Sequence, residues 1–226
     1  MFHLPPATKD VTLRLLPERA AYWETEQTLL IADVHLGKDA TFRAEAVPIP
    51  IGSTARDLNR LSSLITRTGA ERLIVLGDLY HAPAGMTPAT LGTLRAWRDE
   101  HTDLEVVLVR GNHDHDAGPS PSDLRITEHD GPMTLGPFCL QHDPDTQTKP
   151  DGADYVICGH LHPGMVLRSG GQRERLPCFH ANGDRFILPA FSEFTGLHIL
   201  RPEPGDQVAV VAGDDVVRIS PELAGG

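Results

Sequence analysis

Short runs of branched apolar residues, each followed closely by a polar motif, are the feature that most constrains the fold of this chain. Five such runs occur, and each has the length and composition of a buried strand. They occupy residues 29–32, 73–76, 106–109, 138–140 and 155–158. The motifs after them are rich in Asp, Asn and His. Because ligands in open α/β sheets gather outside the carboxyl ends of the strands, the sequence predicts one site assembled from five strand ends.

Two helix patterns separate the first three strand runs. Residues 53–68 repeat apolar residues on one helical face, with Ser53 as the expected cap. Thr87 and Pro88 mark the start of a second helix that continues to about His101. The resulting β-α-β-α-β order is typical of parallel strands with covering helices.

After Asp116 the pattern changes to short strands separated by turn residues. Gly213, Asp214 and Asp215 predict a hairpin turn between the last two strands. Since the polar motifs belong to both halves of the chain, we expect one domain spanning residues 1–226, with the mostly β half packed on the first half. The strand candidates of this half are residues 124–127, 133–135, 138–142, 155–158, 196–201, 208–212 and 216–219.

Charge and cysteine content exclude several classes of protein. A formal net charge of -11 argues against a broad basic surface that wraps duplex nucleic acid. The three cysteines have no paired spacing, so we expect buried thiols and neither a disulfide framework nor a zinc ribbon. The chain begins without a signal-peptide pattern and contains no apolar stretch of about 20 residues. These features predict a cytoplasmic, soluble protein that does not contact a membrane.

The motifs supply seven candidate metal ligands. Carboxylate and amide oxygens mixed with imidazole suit Mn, Fe, Co or Zn better than Mg or Ca. Seven side chains exceed the ligand set of one tetrahedral ion, whereas two divalent transition-metal ions that share a carboxylate would use all of them. Ions paired roughly 3.5–4 Å apart catalyse in-line displacement at phosphorus. The candidates are Asp33, His35, Asp78, Asn112, His142, His160 and His162.

The spacing of these ligands suggests how they converge. In the motifs Asp-x-His and His-x-His, an extended backbone would point alternate side chains toward the same region. His113 differs from the ligands because it lies between Asn112 and the carboxylate of Asp114, which could fix its tautomer. We interpret His113 as a general acid; the alternative is a supporting or merely exposed histidine.

Three further side chains are candidate contacts for a substrate phosphate. Arg43 follows the first motif and Arg110 precedes Gly111, and a guanidinium group suits phosphate oxygens. Ordinary surface charge is the alternative for both arginines. His81 follows Asp78 by three positions, where it would contact phosphate or cap the loop before Pro83.

Taken together, the motifs resemble those of the calcineurin-like binuclear metallophosphoesterase superfamily. The matching segments are Asp33-x-His35, Gly77-Asp78, Gly111-Asn112-His113-Asp114 and Gly159-His160-x-His162, with His142 between them. One departure is His81, which stands where the superfamily usually carries an acidic residue. The resemblance implies an α/β fold, a four-layer αββα sandwich of two packed mixed sheets flanked by helices.

The resemblance also implies roles for these residues. Asp33, His35 and His162 would hold one metal and Asn112, His142 and His160 the second, with Asp78 bridging the two. A hydroxide that bridges the ions would attack phosphorus, and His113, supported by Asp114, would be the general acid.

Softer markers resemble one branch of the superfamily, the ligase-associated DNA damage response endonucleases of the PdeM type. These markers lie in residues 21–23, 30–38, 42–43, 109–114, 176–179, 188–191 and 210–214. The branch implies Mn²⁺-dependent cleavage of phosphodiesters, including single-stranded DNA. It also implies a functional association with a DNA ligase, a helicase and a nuclease in DNA repair.

Two rival functions are compatible with the same motifs. The first is a phosphatase or phosphodiesterase of a small nucleotide or phosphoester, which a deep and closed pocket would favour over an open groove. The second is a non-catalytic metal-binding interaction module on the same scaffold. The complete ligand set and the presence of His113 argue against this second alternative.

Overall fold

Seven strands form a first mixed sheet in chain order. The computed structural model describes residues 2–3, 11–146, 152–169 and 172–219. Neighbouring strands are antiparallel from β1 to β4 and parallel from β4 to β7. The strands are β1 (Phe2–His3), β2 (Thr12–Leu16), β3 (Ala20–Trp23), β4 (Thr28–Ile31), β5 (Arg72–Leu76), β6 (Glu105–Val109) and β7 (Ile126–His129).

Nine strands form a second mixed sheet. Its order is β14-β11-β12-β13-β10-β9-β8, and β15 pairs with β12 and with β16. A turn at Gly213 joins β15 to β16, which confirms the predicted hairpin. The strands are β8 (Met133–Leu135), β9 (Phe138–Leu140), β10 (Tyr155–Cys158), β11 (Pro163–Ser169), β12 (Gln172–Asn182), β13 (Arg185–Ile187), β14 (His198–Ile199), β15 (Gln207–Ala212) and β16 (Asp215–Ile219).

Four α-helices lie within residues 38–117 of the described chain, and two of them follow the predicted patterns. The Thr87 side chain accepts a hydrogen bond from the Thr90 amide at 3.2 Å and so caps the third helix as expected. The prediction that Ser53 caps the second helix was wrong. Ser53 is its first helical residue, and the capping position belongs to Gly52, whose φ of 103° favours glycine. The helices are α1 (Lys38–Ala44), α2 (Ser53–Thr68), α3 (Pro88–Glu100) and α4 (Asn112–Ala117).

Two hydrophobic cores hold these layers together. Ile74 and Val107 of the first sheet pack with Phe138, Ile157 and Phe179 of the second, so the sheets meet face to face. A second core joins the other face of the first sheet to α2 and α3; it includes Leu64, Trp97 and Leu108. Each fully buried side chain of this size contributes about 1.5–3 kcal/mol. The expected α/β architecture, two packed mixed sheets with flanking helices, is confirmed.

Some elements differ from the sequence patterns. The candidate strand 196–201 shortens to His198–Ile199, which pairs with Pro163 and Gly164 of β11. The candidate 124–127 shifts to β7, because residues 122–124 form a 3-10 turn. Helices α1 and α4 have only seven and six residues, so neither shows a helical period in the sequence. No helix in the described part of the chain is long and apolar enough to span a membrane.

The topology brings the predicted strand ends together. Strands β4, β5 and β6 are adjacent and parallel, so the motifs after them leave the same edge of the first sheet. In the second sheet, β9 and β10 are likewise parallel neighbours. Backbone hydrogen bonds between the motifs themselves continue this arrangement: the Asp33 amide donates to the Gly77 carbonyl at 3.0 Å, and the Gly159 amide to the His142 carbonyl at 3.0 Å.

Candidate metal centre

Three of the candidate ligands form a first cluster at the ends of β4 and β10. The His35 Nε2 and His162 Nε2 atoms are 3.3 Å apart, and the His162 Nε2 is also 3.3 Å from the Asp33 Oδ1. Asp33 is completely buried and His35 nearly so, whereas His162 is partly exposed. This cluster therefore has a deep side within the sandwich and one accessible ligand.

The other four candidates form a second cluster. The His142 Nε2 lies 3.4 Å from the Asp78 Oδ2, 3.2 Å from the Asn112 Oδ1 and 3.0 Å from the His160 Nδ1. Asp78 and His142 are buried, whereas Asn112 and His160 are exposed. The structure thus brings all seven side chains into two neighbouring clusters.

The atoms that these clusters present fit divalent metal ions. Ligand atoms about 2.0–2.2 Å from one ion lie about 3–3.5 Å from each other, which is the spacing seen between the imidazole and carboxylate atoms here. Within each cluster the His and Asp ligand atoms all lie within 4.8 Å of one another. The His142 Nδ1 donates to the Leu76 carbonyl at 2.9 Å, which directs Nε2 toward the cluster. These side chains can bind metal ions.

The backbone at the ligands is not extended, and in this the sequence interpretation was wrong. Five candidate ligands have left-handed backbones, with φ between 49° and 70°. This region is uncommon for residues other than glycine, and such residues collect at functional sites. Tight turns after the strands, and not strand alternation, therefore point these side chains inward. The five residues are Asp33, His35, Asp78, His160 and His162.

Glycines precede three of the ligands because another ligand occupies the space of a side chain. A Cβ atom on Gly77 would lie 2.1 Å from the His142 Nδ1, and one on Gly111 would lie 2.3 Å from the Asp78 Oδ1. A Cβ atom on Gly159 would lie 2.7 Å from the Asp33 Oδ2. Each glycine therefore makes room for a ligand that a different motif supplies.

Burial and charge set the protonation of the ligands. Burial lowers the pKa of His35 to about 2, so its ring is neutral and has a lone pair available. Burial alone would lower the pKa of His142, but its hydrogen bond with Asp78 and the charges of Asp33 and Asp78 raise the pKa to about 9. For Asp78, burial opposes ionisation, yet the partner His142 outweighs it and the pKa falls.

His113 lies at the margin of both clusters. Its Nδ1 donates to the His81 carbonyl at 2.7 Å, because a carbonyl can only accept. Its Nε2 is 4.0 Å from the Asp78 Oδ2, and about a third of its side chain is exposed. The backbone amide of His113 also donates to the Asp78 Oδ1 at 3.0 Å. A proton on Nε2 would thus face the metal centre and the solvent.

The expected support of His113 by the Asp114 side chain was wrong. The buried Asp114 carboxylate instead accepts hydrogen bonds from the backbone amides of Tyr80 and Gly111, both at 2.9 Å. Burial raises the pKa of Asp114 to about 6. Asp114 therefore joins the loops after β5 and β6, and the His81 carbonyl is the group that orients His113.

The three candidate substrate contacts have different surroundings. His81 stacks on His113 with ring centroids 5.0 Å apart, and its ring is 5.3 Å from that of His35. Arg43 is bonded through Nη1 to the Asp39 carboxylate at 3.1 Å, with its side chain about one-third exposed. Arg110 donates to the Asp130 carboxylate at 3.0 Å and to the Asp114 carbonyl at 2.8 Å. These bonds favour a structural role for Arg110 over a phosphate contact.

A groove with a volume of about 320 Å³ runs along the second cluster. Its floor includes His142, and Asn112 and His160 reach into it from the metal centre. The rim residues His115 and Thr146 are exposed, so the groove is open to solvent along its side.

This arrangement agrees with one known family. Residues 27–139 match the sequence model described as calcineurin-like phosphoesterase. The chain belongs to the calcineurin-like phosphoesterase family. It is a metal-dependent phosphoesterase, and the His and Asp side chains of the two clusters can bind metal ions.

Solved structures provide the second comparison. The Pseudomonas putida nuclease MPE is 40% identical, with a TM-score of 0.79, and the match covers 92% of this chain and 94% of that chain. A protein of unknown function from Aquifex aeolicus is 21% identical, with a TM-score of 0.41, over 60% of this chain and 78% of that chain. The phosphoesterase Yfce from E. coli is 18% identical, with a TM-score of 0.41, over 87% of this chain and 94% of that chain. Among curated proteins, no sequence matches this chain.

Proposed function

We propose that this protein is a Mn²⁺-dependent endonuclease that cleaves single-stranded DNA. The observation that carries the proposal is the open groove beside the second cluster, since a polymer can lie in it with one internal phosphate at the metal centre. The similar Pseudomonas putida protein is named a nuclease, which supports the same substrate class. The net charge of -11 argues against a broad basic surface that would wrap a duplex.

Each candidate ligand has a role in this proposal. Asp33, His35 and His162 would hold one ion, Asn112, His142 and His160 would hold the other, and Asp78 would contribute to both. When bound, a pair of such ions supplies a nucleophile at neutral pH and neutralises charge on the phosphate. The residues themselves fix the positions of the ions through the turns after the five strands.

His113 supplies the proton that the departing oxygen needs. Its Nδ1 is held by the His81 carbonyl, so the free Nε2 is the atom that donates. His81 stacks on this ring and limits its rotation. Of the two arginines, Arg43 keeps more exposed side-chain surface for a phosphate, 34% against 13% for Arg110. A substrate whose leaving group is a stable anion, such as nitrophenolate, needs no such proton.

The metal and the biological setting belong to the same proposal. Mixed imidazole and carboxylate ligands suit Mn²⁺, with Fe, Co and Zn as chemically related alternatives. The branch resemblance supports a role in DNA repair alongside a DNA ligase, a helicase and a nuclease. The competing function is hydrolysis of a small nucleotide or phosphoester, which the 320 Å³ groove is large enough to hold.

An assay on closed-circular single-stranded DNA with Mn²⁺ tests the proposal directly. We expect the circle to become linear, because only an internal cut can open it. The Asp78→Asn variant is the inactive control, and aryl phosphomonoesters and diesters are the comparison substrates. Activity confined to monoesters would refute the DNA assignment. Activity on none of them, together with failure to bind Mn²⁺, would leave the non-catalytic module as the function.

Replacing His113 tests the general acid. We expect His113→Asn to lower kcat on DNA roughly 10²- to 10⁴-fold, because the deoxyribose oxygen is a poor leaving group. Turnover of bis(4-nitrophenyl) phosphate should change little, because nitrophenolate leaves without a proton. His198→Asn, at an exposed histidine of β14 outside the groove, is the matched control. Equal losses on both substrates would contradict the acid role.

A further inference from the structure

Beside His81, the structure places two phenylalanines and a lysine that no step of the proposed reaction uses. The Phe42 ring centroid is 6.1 Å from that of His81 and 5.7 Å from that of Phe194. The Lys38 Nζ lies over the Phe194 ring, 5.8 Å from its centroid. A continuous row of rings thus leads from His113 through His81 and Phe42 to Phe194. The row leaves the metal centre next to the first cluster, whereas the open groove lies next to the second.

Both phenylalanines lie at positions that are neither fully buried nor fully exposed. Phe42 belongs to α1 and Phe194 to the loop between β13 and β14, and each is only partly buried. Their planes are inclined at 76°, an edge-to-face contact, so the two rings are not stacked face to face on each other. An aromatic face that is open to solvent beside a catalytic centre is suited to a flat, apolar ligand group.

A buried polar network holds Phe194 in this position. The Phe194 amide donates to the Ser192 Oγ at 3.2 Å, and that hydroxyl donates to the Asp57 carboxylate at 3.0 Å. The Arg19 Nη1 donates to the Ser192 carbonyl at 2.8 Å. Ser192 and Asp57 are only 2% and 6% exposed. A loop that is fixed before its ligand arrives loses less conformational entropy on binding.

We propose that Phe42 and Phe194, with Lys38 beside them, form a nucleobase-binding subsite for a nucleotide next to the phosphate that is cleaved. The proposal rests on the function proposed above, because it assigns part of the same DNA substrate. A base stacks on an aromatic face whatever its identity, so the subsite accepts all four bases. The Lys38 ammonium group supplies a cation for the adjoining backbone phosphate.

The subsite gives a physical reason for a preference for single strands. In a duplex each base is already stacked and paired, so it must be extruded before it can reach Phe42 and Phe194. In a single strand the base is available without that step. The alternative is that the two phenylalanines only close the end of α1 against the loop. Leucine fills a similar volume but has no aromatic face, which separates the two possibilities.

The test measures kcat/KM for Phe42→Leu and Phe194→Leu on three substrates with Mn²⁺. These are an oligothymidylate, a strand of equal length made of stable abasic units, and bis(2,2,2-trifluoroethyl) phosphate, a small diester without an aromatic ring. For the wild-type protein we expect the base-bearing strand to be preferred by roughly 10-fold or more. Each leucine variant should lose most of that preference while its activity on the other two substrates is unchanged. Phe194→Tyr keeps an aromatic ring and should therefore keep the preference for the base-bearing strand. Ile51→Ala, at a residue that is 79% exposed on a nearby loop, is the control.

The outcomes separate this inference from the proposed function. If the wild-type protein hydrolyses the small diester but cuts neither strand, the DNA function itself fails and the subsite fails with it. If it cuts both strands equally well, or if leucine lowers the activity on both strands by the same factor, only the subsite is overturned. The subsite is supported if the leucine variants lose the preference for the base-bearing strand and Phe194→Tyr keeps it.

Discussion

Among single residues, the glycines beside the ligands have the most demanding positions, and Gly111 permits the sharpest test. Its φ of -94° is ordinary for any residue, so Gly111→Ala introduces no backbone strain. The added methyl group would instead lie 2.3 Å from the Asp78 Oδ1 and 2.7 Å from the Asp78 backbone nitrogen, so both the carboxylate and its turn must move. We expect Mn²⁺ affinity to fall roughly 10- to 100-fold, the loss that is typical when a residue that positions a metal ligand is changed. The fold should be retained.

Gly92→Ala is the matched control for that substitution. A Cβ atom at Gly92, in α3, meets no atom within 4 Å. Alanine there should leave metal binding unchanged and stabilise the helix by about 0.5–1 kcal/mol. Titration calorimetry with Mn²⁺ and urea unfolding measure the two quantities. Unchanged metal affinity in Gly111→Ala would show that Asp78 tolerates the displacement.

Protonation of His142 makes metal binding depend on pH. Asp78 and Asp33 raise the pKa of His142 to about 9, so below that pH the metal-free protein carries a proton that an ion must displace. We therefore expect Mn²⁺ affinity to fall about 10-fold for each unit of pH below 9. Calorimetry in two buffers with different heats of ionisation should detect the released proton at pH 7.5. Asp78→Asn, which removes the main stabilising partner, should weaken this dependence; binding without proton release would contradict it.

At the scale of elements, the loop between β13 and β14 depends on helix α2. The Ser192 hydroxyl bonds to Asp57 of α2 and also accepts from the Phe194 amide. Ser192→Ala removes both bonds and leaves a buried carboxylate with fewer partners, so we expect a loss of about 1–3 kcal/mol in the free energy of unfolding. Ser63→Ala, at an exposed position of α2, should change it by no more than about 0.5 kcal/mol. Equal stability of the two variants in urea would show that the network does not hold the loop.

At the scale of the whole molecule, the metal centre joins the two sheets. Asp33, His35, Asp78 and Asn112 follow strands of the first sheet, whereas His142, His160 and His162 follow strands of the second. Each cluster draws ligands from both sheets, so an ion bound there resists their separation. With free Mn²⁺ at 100 times its Kd, we expect a gain of about 2.7 kcal/mol in the free energy of unfolding for each site. A thermal scan with and without chelator measures it, and an unchanged unfolding temperature with bound Mn²⁺ would contradict this stabilisation.

How much of this structure the sequence predicts depends on how far apart along the chain the interacting residues lie. Each strand run and the ligand motif after it are local, so the strand ends and the fold class could be recognised from residue order. The backbone at Asp33 and His162 could not, since a left-handed turn depends on bonds with other loops. The contact between Ser192 and Asp57 joins residues 135 positions apart, and only the folded chain brings Phe194 to Phe42. The marker segment 188–191, just before Ser192, was the available signal that this loop matters.

The unequal depth of the two clusters has a kinetic consequence. Asp33 is completely buried in the first cluster, while Asn112 and His160 of the second face the solvent. An ion leaves a site only after its ligand side chains dissociate from it. Exposed side chains can dissociate without any opening of the sandwich. We therefore expect one rapidly exchanging ion and one long-lived ion, so that a brief wash with chelator yields a half-loaded protein whose activity returns as soon as a single equivalent of metal is added.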